Sequence, residues 1–532
     1  MRQNKIITRF SILLGMLFFW GNSFAQISVS INQQTIKQII PQIEKTSGYN
    51  VFYTDKLPNL DTRKDLHVSN APLEAILKEL FKGTKITFEI KPNKQVLLFQ
   101  QANKPSGNRK QVPSKLLVEA ESFDRKGGWV VDQQFMDLMG SPYLMAHGMG
   151  VPVEDASTTI SFPEDGTYYV FVRTYNWTSP WYDGKGPGKF TLAVDNKKLP
   201  VVLGDEGKQW MWQPAGTVSV KAGSSSLTLK DLTGFNGRCD AIYFTTEKGQ
   251  LPPAQATQLT DFRKKMLDIP AEPEQYSYDV IVTGGGIAGM CAAATASRLG
   301  CKVALINDRP VLGGNNSSEV RVHLGGNIGV GPNSGLGRMI REFGHSKEGN
   351  AKPAANYEDE KKELFIANEK NITLYANYRA ISVKTDGNRI ESVIIKHIEN
   401  GKEVELKAPL FSDCTGDGTI GYLAGADYNM GRESRTEYGE ELAPIQPDKM
   451  TMGSSVQWYS ADKGKPTRFP IFSYGLQFNE KNCEKVTMGE WKWETGMNFN
   501  QIDDFERIRD YGLMVIYSNW SFLKNELKDN KK

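Results

Sequence analysis

The run Tyr278-Asp279-Val280-Ile281-Val282-Thr283 leads straight into Gly284-Gly285-Gly286-Ile287-Ala288-Gly289, and here the chain has the residues to hold a phosphate. The first six residues are apolar and β-branched, as in a strand buried within a parallel sheet. After the G-x-G-x-x-G come an Ala-rich stretch (290–300), predicted as a helix ending at Gly300, and a second predicted strand over 302–308. In that setting Gly284 permits a tight turn and Gly286 lets the backbone approach a pyrophosphate. Gly289 lets the helix pack closely on the sheet. Ile287 and Ala288 open the helix, whose free N–H groups and dipole favour negative charge. The glycines alone are a weak signal. Strand, glycines, helix and second strand in register are a strong one for a dinucleotide.

Such sites carry an acid about 20 residues on, at the end of the second strand, to hold the ribose hydroxyls. Asn307 occupies that place and Asp308 follows it, which departs from the pattern while keeping a hydrogen-bonding group. Further on, Glu319, Arg321 and His323 alternate along a predicted strand and so would share one face. A carboxylate, a guanidinium and an imidazole together can orient a substrate and move a proton. The plainer reading is an ion pair plus a satisfied histidine. His345 has a weaker claim.

The segment DRPVLGGNNSSEVRVH (308–323), with Arg309, Gly313, Gly314 and Asn315, resembles the Arg-then-GlyGly segment of FAD-dependent oxidoreductases. LFSDCTGDGTIGYLAGADYNMGRES (410–434) is similar to the Gly-Asp-Gly region of the same family, with Cys414 where alanine is common. The resemblance runs from about residue 278 to the end, and is nearest to members related to the flavoprotein subunit of heterodisulfide reductase. It implies FAD rather than NAD, with Gly416 and Asp417 near the ribityl and pyrophosphate groups. It also implies that the strand pair within 371–395, which includes Ala380, frames the adenine. Some relatives bind a 4Fe–4S cluster, but this sequence has no CxxC and lacks the cysteines for one. The family contributes a later Gly-Asp-type motif to the flavin-ring side. No Gly-Asp pair follows Asp417, so the expectation is a short flavin domain that holds FAD incompletely.

The elements before this site read as separate modules, as expected for 532 residues. Arg2, Lys5 and Arg9, the apolar run Ile12–Trp20 and the small residues Ser23 and Ala25 read as a signal peptide over 1–25, cleaved before Gln26. No later stretch reaches the roughly 18 apolar residues of a membrane helix. The expected location is therefore the periplasm or cell envelope. Residues 26–100 hold two helix-then-strand units: Ile36, Ile39, Ile40 and Ile43 before the strand 49–53, and Leu73, Ile76, Leu77 and Leu80 before the strand 86–90. Pro41 predicts a kink in the first helix. This α/β module resembles the short N-terminal domain of secretins and TonB-dependent signalling receptors, which implies binding of an envelope protein partner. Residues 101–115 are a polar linker.

Between 116 and 247 the period changes to two, with predicted strands at 168–174, 190–194, 226–229 and 241–245, the pattern of a β-sandwich. VEAESF (118–123) and RCDAIYF (238–244) resemble the galactose-binding-like sandwiches used as carbohydrate-binding modules. Trp177, Trp181 and Tyr182 could offer flat apolar faces to a sugar or pack beneath their own loop. Glu119 and Asp240 could instead ligate calcium. A linker (248–275), with prolines around a short helical stretch, leads to the third domain, 276–532. The expected fold class is thus multidomain, α/β and all-β. A small α/β module and a β-sandwich precede a Rossmann-like, doubly wound FAD-binding domain.

The formal net charge of +3 and the absence of a Lys/Arg-rich patch argue against nucleic acid as a partner. Five cysteines without regular spacing argue against a disulfide framework and read as buried thiols, and no metal site is expected. Two readings follow. The first is an exported FAD-dependent oxidoreductase taking hydride from a substrate, a carbohydrate in view of the sandwich. The second is a non-catalytic envelope protein that binds glycan or protein and carries a degenerate flavin domain.

Overall fold

The computed structural model describes residues 27–53, 57–91, 94–100, 114–327, 329–344, 349–485 and 494–527. The signal-peptide expectation, most of the first linker and His345 lie outside them. The chain divides into two units, residues 1–111 and 112–532. Among the described residues no helix is long and apolar enough to cross a membrane.

In the first unit the helical spacing read from the sequence is realised. The helix Ile36–Ser47 buries Ile36, Ile39, Ile40 and Ile43, and the helix Leu73–Phe81 buries Leu73, Ile76, Leu77 and Leu80. Thr35 starts the first helix with a reciprocal cap: its hydroxyl accepts from the Gln38 backbone N–H, and the Gln38 side chain accepts from that of Thr35. Gly48, at φ +71°, ends it. The helix runs through Pro41. Strands Ile27–Thr35 and Arg63–Ala71 pair antiparallel, and Gln95–Gln100 lies between Asn50–Phe52 and Ile86–Lys91.

The second unit begins with a sandwich. One antiparallel sheet orders Met211–Val220, Gly166–Thr174, Ala241–Thr245 and Lys115–Glu119, and the other orders Lys197–Lys198, Phe190–Val194, Gly223–Asp231 and Ala156–Phe162. Alternate residues of both, among them Val170, Phe244, Phe162, Leu192 and Leu229, meet in one core. A short third sheet, Gly237–Cys239, Tyr143–Ala146 and Val130–Asp132, stands beside them.

The short helical stretch expected among the prolines of the second linker is present. Its helix, Ala256–Met266, sends the buried Arg263 to Glu119 Oε1 (2.9 Å) and Asp240 Oδ2 (2.6 Å). Arg173 also reaches Asp240 Oδ2, at 2.7 Å. Glu119 and Asp240, the candidate calcium ligands, are therefore paired with guanidinium groups. All five cysteines are free; Cys239 is fully buried, whereas Cys291, Cys301, Cys414 and Cys483 are only half-buried, because their segments lie at the margins of the core.

The rest is built on a parallel sheet of β1 (Val280–Thr283), β2 (Val303–Asn307), β3 (Ile372–Ala376) and β4 (Leu410–Asp413), ordered β3-β2-β1-β4. That is the order of a dinucleotide fold around its switch point. Strand alternation sorts the two faces. Val282, Val303 and Leu305 point to the helical face, against Met290, Ala293 and Ala294 of α1 (Ile287–Arg298) and Phe343, Phe365 and Ile366. Ile281, Ala304 and Ile306 point the other way, against Val393, Ile395, Val404 and Leu406 of a sheet made by Tyr378–Asp386, Arg389–His397, Glu403–Lys407 and Glu274–Ser277. A long C-terminal helix, α2 (Phe505–Asn525), leaves this layer and packs on the sandwich.

Candidate dinucleotide site

The carboxyl ends of β1, β2 and β4 open into a cleft of about 390 Å³. Two glycine turns form its floor, held together backbone to backbone. The Gly313 N–H donates to the Gly285 carbonyl at 2.9 Å, and a Cβ on Gly314 would come within 3.0 Å of Gly286 Cα. Gly284 lies at φ +105°, where a Cβ would strike the Cys414 carbonyl oxygen at 2.2 Å. On Gly289 a Cβ would sit 1.8 Å from the Gly284 oxygen, so that glycine is needed for packing α1 on β1. Gly286 differs from both. Its φ is −69°, and a Cβ there meets only Gly314 Cα, at 3.8 Å. The space it leaves is cleft.

Gly286 caps α1 without any side-chain hydrogen bond, so the first-turn N–H groups are not taken by a cap and face the cleft. On the opposite wall, Asp413 at the end of β4 organises the turn Cys414–Gly418. One carboxylate oxygen accepts from the Thr415 N–H and hydroxyl (3.1 and 2.7 Å), the other from the Ile420 and Gly421 N–H groups (2.8 and 3.1 Å). Gly416 and Gly418 supply the positive φ values this turn needs.

Against this geometry, residues 279–529 match the model of the FAD dependent oxidoreductase family, and residues 49–101 match that of the secretin and TonB N terminus short domain. The chain carries an FAD-dependent oxidoreductase domain. It is 37% identical over 68 residues to a soluble pyridine nucleotide transhydrogenase of Ectopseudomonas mendocina, covering 13% of each protein. Among solved structures it is similar to an L-proline dehydrogenase from P. horikoshii (TM-score 0.18, 23% identity, 27% of this chain and 24% of that one). It is also similar to a family 35 carbohydrate binding module from Clostridium thermocellum (TM-score 0.21, 16% identity, 25% of this chain and 97% of that one). The chain thus covers well under two thirds of the transhydrogenase and of the dehydrogenase.

The cofactor of the flavin domain is FAD, and the cleft fits it on three counts: uncapped N–H groups at α1, open space beside Gly286, and a volume in the range of ligand sites. Of the fifteen residues the sequence nominated for the cofactor, all line the cleft except Gly289. Asn307 lines it but is turned inward. Its amide donates to the Arg309 and Val311 carbonyls (2.8 and 3.1 Å), and its oxygen lies where a Cβ on Gly285 would be, 2.4 Å away. It braces the second glycine turn instead of facing a ribose. Asp308 faces the cleft in its place, bound through one oxygen to Arg379 Nη1 at 2.8 Å.

The expectation of a strand carrying Glu319, Arg321 and His323 is corrected. Residues 315–324 form turns and loop, with Arg321 at φ +65°, because Ser317, Asn316 and Tyr357 capture the local backbone groups. The three side chains do not share a face. Glu319 pairs with Arg309 Nη1 at 3.2 Å, and Arg321 donates to the Ser318 carbonyl and lies over the Tyr459 ring. Burial pushes the Glu319 carboxyl up, and Arg309 opposes it. Only His323 lines the cleft. Asn350 Oδ1 accepts from the His323 backbone N–H (3.1 Å) and lies 2.8 Å from Nδ1, a geometry that suits the tautomer with Nδ1–H as donor and Nε2 as acceptor.

Sequence reasoning missed Gln134, Tyr378, Arg379, Thr415 and Phe505, all of which line the cleft. Gln134 comes from the sandwich and Phe505 from the start of α2, so no local motif could have named them. Desolvation pushes the Asp417 carboxyl up, while Arg379 and Arg309 pull it down. Trp177, Trp181 and Tyr182 are not sugar platforms. Trp177 is buried and donates to the Phe235 carbonyl, and the three rings contact Phe472, Tyr511 and Tyr474 of the C-terminal segment. They pack under α2 and the segment before it, where the sequence had offered a sugar or their own loop.

Proposed function

We propose that the protein is an exported, envelope-located oxidoreductase that takes hydride from a carbohydrate onto bound FAD. The observation that carries this reading is the uncapped start of α1 beside the open space at Gly286, facing a second, backbone-bonded glycine turn. Gly284, Gly285, Gly286, Ile287 and Ala288 present the pyrophosphate-binding backbone. Asp308 holds the adenosine ribose, and Ala380 borders the adenine. Arg309, Gly313, Gly314, Asn315, Gly416 and Asp417 flank the middle of the cofactor.

FAD supplies the hydride acceptor. The chain supplies orientation and proton transfer: His323, with Nδ1–H donated to Asn350, offers Nε2 to a substrate hydroxyl proton. Glu319 holds Arg309, and Arg321 ties its loop to Tyr459. Export rests on the N-terminal basic-apolar-small pattern, and an envelope location also on the secretin/TonB-type module. That module is the surface for an envelope protein partner. The carbohydrate assignment rests on the sandwich's resemblance to carbohydrate-binding modules, through surfaces other than the covered aromatic loop. Purified chain that is yellow, bleaches under dithionite and releases FAD on denaturation supports the reading. Colourless protein that cannot be reconstituted with FAD overturns it.

A further inference from the structure

We propose that the β-sandwich is a working part of the cofactor site: through Asp137 and Gln134 it sets the adenosine end of the cleft. The proposal rests on reading the cleft as the FAD site.

The residue at the usual ribose-binding place cannot serve. Both amide hydrogens of Asn307 are spent on the Arg309 and Val311 carbonyls, and its oxygen is packed against Gly285. The next carboxylate, Asp308, lines the cleft and binds Arg379 through Oδ2; among the described residues Oδ1 has no protein partner. One oxygen of Asp308 is thus fixed and the other is left to accept from a ribose hydroxyl.

Arg379 fixes Asp308 because it is itself fixed by the sandwich. Its Nε and Nη2 bind the two carboxylate oxygens of Asp137, at 3.2 and 2.5 Å. This is a two-point contact that orients the guanidinium plane. Asp137 lies in the one-turn helix Met136–Met139, on the loop that also carries Gln134. Gln134 lines the cleft, and its side chain has no hydrogen-bond partner among the described residues. Its own N–H is held by Asp132 Oδ1 at 3.2 Å, and Asp132 is held in turn by Arg509 of α2. The loop is therefore pinned from both sides, with Gln134 on the wall of the cleft. Asp137 and Arg379 are positioning residues; Asp308 and Gln134 are the ones that touch the cofactor.

The test is FAD affinity of the full chain, read by flavin fluorescence, in Asp137→Ala, Gln134→Ala, Asp308→Ala and the double variant Asp137→Ala/Asp308→Ala. Losing one charge-assisted hydrogen bond weakens binding about tenfold. Asp308→Ala should show that loss, and Asp137→Ala most of it. The double variant should be no weaker than Asp308→Ala, because Asp137 acts only through Asp308; a merely structural Asp137 would multiply the two losses. Gln134→Ala, which removes no ion pair, should lose about fivefold. Full affinity in both Asp137→Ala and Gln134→Ala, or penalties that multiply in the double variant, overturns the proposal while leaving FAD binding intact. A wild-type chain that takes up no FAD removes the underlying reading, and this inference with it.

Discussion

At the dinucleotide turns, the groups that matter are backbone ones brought together by glycines within about 30 residues of β1, plus one turn after β4. At the seam between the sandwich and α2, they are side chains from opposite ends of the second unit. Arg238, fully buried, binds both oxygens of Asp510 (2.6 and 2.9 Å), Glu506 Oε1 (2.9 Å) and the Tyr175 hydroxyl (2.9 Å). Arg509 binds Asp132 and the Tyr143 hydroxyl. A backbone site depends on which residues lack a side chain, whereas a buried ion-pair seam depends on every partner being present. The two regions should therefore fail in different ways.

Removing one partner from the seam should have the largest effect. Arg238→Met takes the salt-bridge partner from Glu506 and leaves the buried Asp510 with Arg509 alone, at 3.1 Å, and should cost about 3–5 kcal/mol in denaturant unfolding. Adding Asp510→Leu should restore part of that, since an apolar replacement of a buried pair is often tolerated. Failure of the double variant to recover anything would mean the seam does more than neutralise charge.

Next, Gly284→Ala forces a Cβ into a backbone at φ +105° and against the Cys414 oxygen. It should cost about 3 kcal/mol, the upper end for a strained non-glycine position, and FAD uptake should fall with stability.

Asp132→Asn sharpens the contrast through pH. Burial alone would raise the Asp132 carboxyl, but Arg509 beside it prevails and holds it below the usual carboxylate range. Its contribution is therefore full above the unfolded value of about 3.9 and is lost as pH falls through the lower folded value. The variant should be less stable than wild type by about 2 kcal/mol at neutral pH, and the gap should close in acid. Melting curves at several pH values test this; a gap independent of pH contradicts it.

The smallest expected effect is a null. With Glu119 and Asp240 paired to Arg263 and Arg173, a chelator should leave the melting temperature of the sandwich unchanged.

This contrast also explains what the sequence revealed. The G-x-G-x-x-G, the following strand and the Gly-Asp-Gly turn could be read because a φ value or a missing Cβ allows few residue types. The buried isoleucines of the helix Ile36–Ser47 were legible for a similar reason, since helical period fixes which residues face inward. By contrast, Arg379, Gln134 and Arg238 looked like ordinary polar residues. Their partners are 63 to 272 positions away or, for the Gln134 side chain, only the cleft itself. Alternation at Glu319, Arg321 and His323 imitated a strand, but Arg321 at φ +65° turns the chain out of one. The covering of Trp177, Trp181 and Tyr182 was not legible because the rings that cover them, Phe472, Tyr511 and Tyr474, lie 292 to 330 positions further on.

The central claim is that a nucleotide diphosphate lies against the start of α1. Gly286 offers a clean test, because its Cβ direction is open and its backbone is unstrained, so a larger side chain fills the cleft without disturbing the fold. FAD titration of wild type and Gly286→Leu, each checked for an unchanged apo melting temperature, reads the claim directly. The expected result is stoichiometric binding by wild type and affinity at least ~100-fold weaker, about 2.7 kcal/mol, in the variant. Equal cofactor content in two equally folded proteins would contradict it.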